Sequence, residues 1–327
     1  MRAVRVLPLS PASHVVHKLH GGDCAWPEKN CYVDVWIEVL HALGLEPAAM
    51  LGFTVKLDFE GDQWTFFKPS PGDLSMLYGI EVSELNVWRG DILTHATHHL
   101  SEGKLVFTEA DAYWLPDTQG SDYRRQHTKS TIVINALDVA SRKLGYFHNG
   151  GYHELHGEDF SHLFRQDFPY DPTFLPLFAE YARLDRIERP SSEELVRLAV
   201  NMLRAHLARA PLTNPVRRFA ARFPVDLKQL QLEGLALYHG YAFATLRQLG
   251  SGFELTARHL QWLTSMGQDG LESAQAAFLD ISEGAKTLIM KAARAVNTRK
   301  PVDFSSALGE MAVAWDRAFD SLNVCYR

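Results

Sequence analysis

The sequence predicts an α+β N-terminal half built around an antiparallel sheet, followed by an all-α C-terminal half. Three observations lead there. Twelve of the fifteen histidines lie at or before His162, and five of the seven tryptophans precede residue 120. The first half holds short strand-like apolar runs, whereas the second repeats Leu, Ala and Arg at helical spacing. Between them, FPYDPTFLPLF carries Pro169, Pro172 and Pro176, which interrupt regular structure. Two domains are therefore expected, 1–168 and 169–327.

The elements follow in order. Residues 32–43 place Val33, Trp36, Ile37, Leu40 and Leu43 on one helical stripe, with Gly44 where a C-cap belongs. Residues 51–59 and 63–68 read as strands around the turn Glu60-Gly61-Asp62. Residues 105–114, 131–137 and 144–148 read as three further strands, and 153–164 as a short helix. In the second half, Ser191 stands three residues before Glu194, a capping box. Leu195, Leu198, Ala199, Met202 and Leu203 then form an apolar face. Further helices are expected over 226–249, 253–266, 271–297 and 304–322.

Composition narrows the function classes. The chain has 327 residues, 46% hydrophobic and 22% charged, with a net charge of -6. That is a globular balance without the basic excess of a nucleic-acid binder. No apolar run reaches the roughly 18 residues of a membrane span. Three cysteines are too few for a disulfide scaffold. With no signal peptide recognised at the N-terminus, a cytoplasmic protein is expected.

Cys31 opens the first predicted helix. Unpaired N–H groups and the helix dipole there favour thiolate, the nucleophilic form. Such a nucleophile needs a base and a group to orient it. His127 precedes the strand 131–137, and Asn149 ends the next one, so antiparallel pairing puts both at one end of the sheet. A Cys–His–Asn triad requires that placement. Asp138 is the other candidate for the third member, at the far end of its strand. Asp111 and Tyr113 alternate onto one strand face with Leu115 and are candidates for lining a polar pocket. His95, His98 and His99 share a face if helical, but the metalloprotease pattern is missing and no metal is expected. Cys24 is a rival nucleophile.

These segments carry a resemblance. NCYVDVWIEVLHALGLEPAAMLGF, EADAYWLPD and YRRQHTKSTIVINALD with LGYFHN resemble the N-terminal domain of the butirosin biosynthesis protein H family. Those are acyltransferases on a papain-like cysteine-peptidase fold. The chain as a whole is similar to an uncharacterised bacterial family often associated with carrier-protein genes. The resemblance implies a papain-like domain over 1–168. It implies Cys31 as nucleophile, His127 as base and Asn149, where that family usually has Asp, as the orienting group. Peptidase relatives carry an oxyanion Gln where this chain has Ala25, which leaves Asn30 or the Cys31 N–H for that task. The implied reaction moves an acyl or aminoacyl group from the phosphopantetheine arm of a carrier protein to Cys31, then to an amine or hydroxyl. Asp111 would bind an ammonium group. No other cofactor is implied, and the partners are an acidic carrier protein and a small acceptor. Arg217, Arg218 and Arg222 are the candidate docking patch, and the helical half would cover the cleft. A cysteine peptidase or amidase, and a non-catalytic binding module, are the alternatives.

Overall fold

A computed structural model describes residues 3–88, 92–166, 168–169, 173 and 176–326. They form two compact units that interleave along the chain: 1–17, 31–47 and 70–189 make one, and 18–30, 48–69 and 190–327 the other.

The first unit is built on an antiparallel sheet. Its strands are β1 (Val4–Arg5), β4 (Glu81–Glu84), β5 (Leu105–Asp111), β6 (Lys129–Asp138), β7 (Lys143–His148), β8 (Gly151–His156) and β9 (Ala179–Arg183). The order is β4-β9-β5-β6-β7-β8, and β1 pairs with the far end of β6, Val4 opposite Leu137. The sheet therefore runs past the expected boundary at 168/169: β9, beyond the proline-rich segment, pairs with both β4 and β5.

Helix α1 (Cys31–Ala42) starts at the predicted cysteine, and Gly44 adopts a left-handed φ of 70° just past its end. Every residue from Tyr32 to Leu40 is buried. Trp36 stacks on Phe107 of β5, ring centroids 4.6 Å apart. Even Glu38 is buried, because His14 Nε2 lies 2.7 Å from one carboxylate oxygen and the His17 N–H donates to the other at 3.0 Å. Alternation sends Val106, Ile132 and Ile134 to a second apolar cluster. That cluster holds Leu93, Ala96 and Leu100 of α3 (Ile92–Ser101) and Phe160 of α4 (Glu158–Leu163). Helix α2 (Pro71–Tyr78) is capped by Ser70, whose hydroxyl accepts from the Asp73 N–H.

The second unit is helical apart from the hairpin β2 (Phe59–Glu60) and β3 (Gln63–Trp64). Its helices are α5 (Ser192–Leu207), α6 (Pro215–Glu233), α7 (Leu235–Ala244), α8 (Leu246–Ser265), α9 (Glu272–Thr298) and α10 (Ser305–Tyr326). Ser191 caps α5 as predicted, accepting from the Glu194 N–H. The single helix expected over 226–249 is three pieces, broken at Gly234, with φ 97°, and at Thr245. On α8, buried Glu254 accepts from the N–H groups of Ala25 and Trp26 at 2.7 and 3.0 Å. His259 holds the Ala48 carbonyl at 2.8 Å through Nδ1.

Other element predictions fail too. Residues 51–56 form the end of a 3-10 helix over Pro47–Lys56, and of the two strands expected over 51–59 and 63–68 only Phe59–Glu60 and Gln63–Trp64 pair. The helix expected over 153–164 is confined to α4, since 151–156 are strand β8. Among the described residues, no helix is long and apolar enough to cross a membrane.

Candidate active site

Cys31 Sγ is half-buried at the start of α1 and donates to Thr131 Oγ1 at 3.4 Å. Thr131 is paired with Glu109 of β5. Val133 lies opposite Phe147 across β6 and β7, so Thr131, two residues before one, is level with Asn149, two residues after the other. Cys31, Thr131 and Asn149 thus belong to one end of the sheet. Asn149 also forms, with Gly150, the two-residue loop of the β7–β8 hairpin, and its φ of 47° is one that Asn tolerates well. Local hairpin chemistry is sufficient reason for an asparagine there.

His127 lies four residues before Thr131, beyond the start of β6. Its imidazole makes no hydrogen bond to Cys31 or to Asn149. Instead Nδ1 donates to Asp111 Oδ2 at 2.6 Å, and the ring stacks on Tyr113 at 4.4 Å. The His127 side chain is 69% exposed. Of the residues chosen from the sequence, two, Asp111 and Tyr113, therefore meet His127, and the group bonded to its ring is Asp111 rather than Asn149.

Asp111 and Tyr113 meet for a different reason from the one predicted. The strand ends at Asp111, and a 3-10 turn over Ala112–Trp114 replaces the expected alternation. Asp111 caps that turn, its Oδ1 accepting from the Tyr113 N–H at 3.1 Å. Leu115 is buried in the apolar cluster rather than beside Asp111. Both carboxylate oxygens of Asp111 are engaged within the protein, one with the Tyr113 N–H and the other with His127.

The His127–Asp111 pair borders a pocket of about 520 Å³, within the usual range for small-molecule sites. Its wall includes Val87, Ile92, Ala110, Trp114, Leu163 and Leu177. Trp114 is held rigidly, with the Arg124 guanidinium 4.4 Å from its ring and the His162 ring stacked on it at 4.1 Å.

The remaining candidates lie elsewhere. Asn30 is buried and its Nδ2 donates to the Phe67 carbonyl at 2.9 Å. Asp138 accepts from the Ser141 N–H at the opposite end of β6. Cys24 is buried, and burial pushes its thiol up, away from the reactive thiolate. Arg217, Arg218 and Arg222 are paired with Asp316, Asp58 and Asp226, so the expected basic patch is neutralised by its own carboxylates. His99 of α3 stacks on Tyr181, and among the described residues no three His, Cys, Asp or Glu side chains converge as metal ligands do.

One arrangement escaped the sequence reading. Ser130 Oγ lies 2.6 Å from His148 Nε2, and His148 Nδ1 lies 2.5 Å from Asp117 Oδ2. Tyr146 O–H donates to the other Asp117 oxygen. Burial opposes the Asp117 charge, but its bonds and charge contacts with His148, His153 and Tyr146 prevail and hold the carboxyl below the usual range. The order matches a Ser–His–Asp relay, yet the His148 side chain is only 1% exposed. A sealed, satisfied network of this kind fixes the strands rather than meeting a substrate. Nothing local in the sequence pairs Asp117 with a histidine thirty-one residues away.

Two stretches match one family: residues 15–184 match the DUF1839 N-terminal domain, and residues 192–324 the DUF1839 C-terminal domain. No curated protein matches the chain. The first match ends just after β9, and the second begins with α5 and covers the helices from there on. With both domains present in order and spanning most of its length, the chain belongs to the DUF1839 family.

Proposed function

We propose that the protein is an acyl or aminoacyl transferase acting on a carrier-protein thioester, with Cys31 carrying the group and His127 activating the acceptor. The first unit is then a papain-like domain, its cysteine helix packed on an antiparallel sheet. The observation that carries the reading is the His127 Nδ1–Asp111 Oδ2 contact of 2.6 Å. It fixes one tautomer, leaving Nε2 as a lone-pair acceptor on an exposed ring beside a pocket.

The two half-reactions divide between the two residues. The Cys31 thiolate, the nucleophilic form of the side chain, attacks the thioester carbonyl. A new carbon–sulfur bond forms, the bond to the carrier's sulfur breaks, and the carrier thiolate leaves and takes up a proton. An acceptor amine or hydroxyl then attacks the Cys31 thioester. His127 Nε2 takes its proton, and Cys31 leaves as thiolate. A thioester suits this division, since its leaving thiol needs little acid assistance and loading does not require an imidazole at the sulfur. With water as acceptor, the same residues make a cysteine peptidase or amidase.

The test is intact mass after incubation with an acylated carrier protein. A gain of one acyl group is expected for the wild type and for His127→Ala, and none for Cys31→Ala. A gain that persists in Cys31→Ala contradicts the reading.

A second reading, a non-catalytic binding module, draws on one observation: the group facing Cys31 Sγ is the Thr131 hydroxyl, which is no base near neutral pH. It predicts that Cys31 alkylates with iodoacetamide no faster than a model thiol. Faster alkylation near pH 7 excludes it.

A further inference from the structure

The start of helix α1 touches the sheet on both sides of one strand. Cys31 Sγ meets Thr131 Oγ1 of β6 at 3.4 Å, and the Tyr32 O–H donates to Glu180 of β9. Strand β5 runs between β6 and β9, so its end passes beneath the helix start. The β5 residue directly opposite Thr131 is Glu109. Cross-strand partners share a sheet face, and Phe107, two residues before Glu109, stacks on Trp36 of α1. Glu109 therefore stands on the face that carries Cys31, beside the residue that the sulfur touches. Its carboxylate is half used. Oε1 lies 2.9 Å from Lys129 Nζ, and Oε2 has no hydrogen-bond partner among the described residues. The lysine is exposed, so water screens it, whereas the Glu109 side chain is half-buried. With His127 neutral, the carboxylates of Glu109 and Asp111 face the single ammonium of Lys129 on this end of the strand pair, and the balance is negative.

We propose that Glu109 holds the α-ammonium of the group carried on Cys31, which makes that group aminoacyl rather than plain acyl. The proposal rests on the transferase reading above and narrows its substrate class. In an aminoacyl thioester only two carbons separate the nitrogen from the sulfur, so the ammonium stays close to Cys31 Sγ. Directly opposed residues such as Thr131 and Glu109 have Cβ atoms about 4.5–5.5 Å apart, a gap that a glutamate side chain spans. The free Oε2 then accepts a charge-assisted hydrogen bond from the ammonium. A plain acyl group brings only hydrocarbon to the same carboxylate and makes no such bond. Asp111 lies one residue pair further along the strands, level with Lys129, and is the more distant carboxylate.

The test uses Cys31 of the full chain as its own reporter. Its rate of modification is measured with 2-aminoethyl methanethiosulfonate, a cation, and with the neutral propyl methanethiosulfonate of similar size. Peptide masses locate the label at Cys31, and each rate is divided by that of free cysteine. The cationic reagent is expected to be favoured by about tenfold. Glu109→Gln keeps the shape, removes the charge and should bring that preference close to one. Lys129→Met frees the second oxygen and should raise it, and Asp111→Asn should lower it less than Glu109→Gln does. A wild-type preference near one overturns the proposal, as does a preference that survives Glu109→Gln. Intact mass after incubation with an alanyl-loaded or a propionyl-loaded carrier protein separates the two claims. Faster loading of Cys31 by the alanyl group supports both. Loading by neither, with the cationic preference intact, supports the Glu109 site and contradicts the transferase. Equal loading by both supports the transferase and overturns the narrowing to aminoacyl groups.

Discussion

Individual side chains meet in a way their sequence spacing does not suggest. His127 and Asp111 are sixteen residues apart, and the β5–β6 pairing brings them together. Cys31 meets Thr131 across a hundred residues. Burial sets other residues apart from the chemistry, and His259 is the clearest case. It is fully enclosed, and loss of hydration lowers its pKa to about 4, partly opposed by its bond to the Ala48 carbonyl. The folded value lies below the unfolded one of about 6.5, so its contribution is intact above that pH and is lost as pH falls toward 4. About 3 kcal/mol should disappear over that interval. Urea titrations at pH 7 and pH 4.5 check this: His259→Gln, which keeps a donor for Ala48, should show a much smaller pH dependence than the wild type. An identical dependence in both proteins would assign the acid loss elsewhere.

Elements show which parts of the sequence were readable. Helix α1, strands β6 and β7 and the Ser191 cap were legible because each rests on a local rule: a helical stripe, an apolar run or a capping box. Residues 51–59 misled because LGFTVKLDF puts an apolar side chain at every second position, the period of a half-buried strand. Residues 51–55 are nevertheless all buried, and the backbone turns as a 3-10 helix as far as Lys56. Strand β8 was missed because GYHELH alternates too weakly to stand out from the helix after it, and β9 because it follows prolines. The His127–Asp111 contact was half legible. Both residues were chosen, but the turn that ends β5 decides which atoms meet. Helix α1 holds Cys31 through its packing, and Trp36 is its largest fully buried side chain. Trp36→Ala should therefore cost about 3–5 kcal/mol, read as a lower denaturation midpoint, and should loosen the thiol's position. A loss below about 1 kcal/mol would mean that α1 is held by other contacts.

At the scale of the whole molecule, the division is not the simple cut expected at 168/169. The helical unit takes in residues 18–30 and 48–69, well before α5. Those early segments satisfy its buried groups: Ala25 and Trp26 fill Glu254, and Trp26 Nε1 donates to Ser282 Oγ at 2.9 Å. A fragment of 190–327 would leave the Glu254 carboxylate without those donors. It should melt broadly, without the cooperative transition of the full chain, when followed by circular dichroism at 222 nm. A sharp transition at the same temperature would show that the early segments add little.

The central claim is that the proton leaves the acceptor for His127 after Cys31 has been loaded. Single-turnover discharge of acyl-Cys31 into an amine acceptor tests it most directly, comparing the wild type with His127→Ala. Discharge should slow by about 10²–10⁴-fold in the variant while loading proceeds to the same extent. Equal discharge rates in the two proteins would contradict the account.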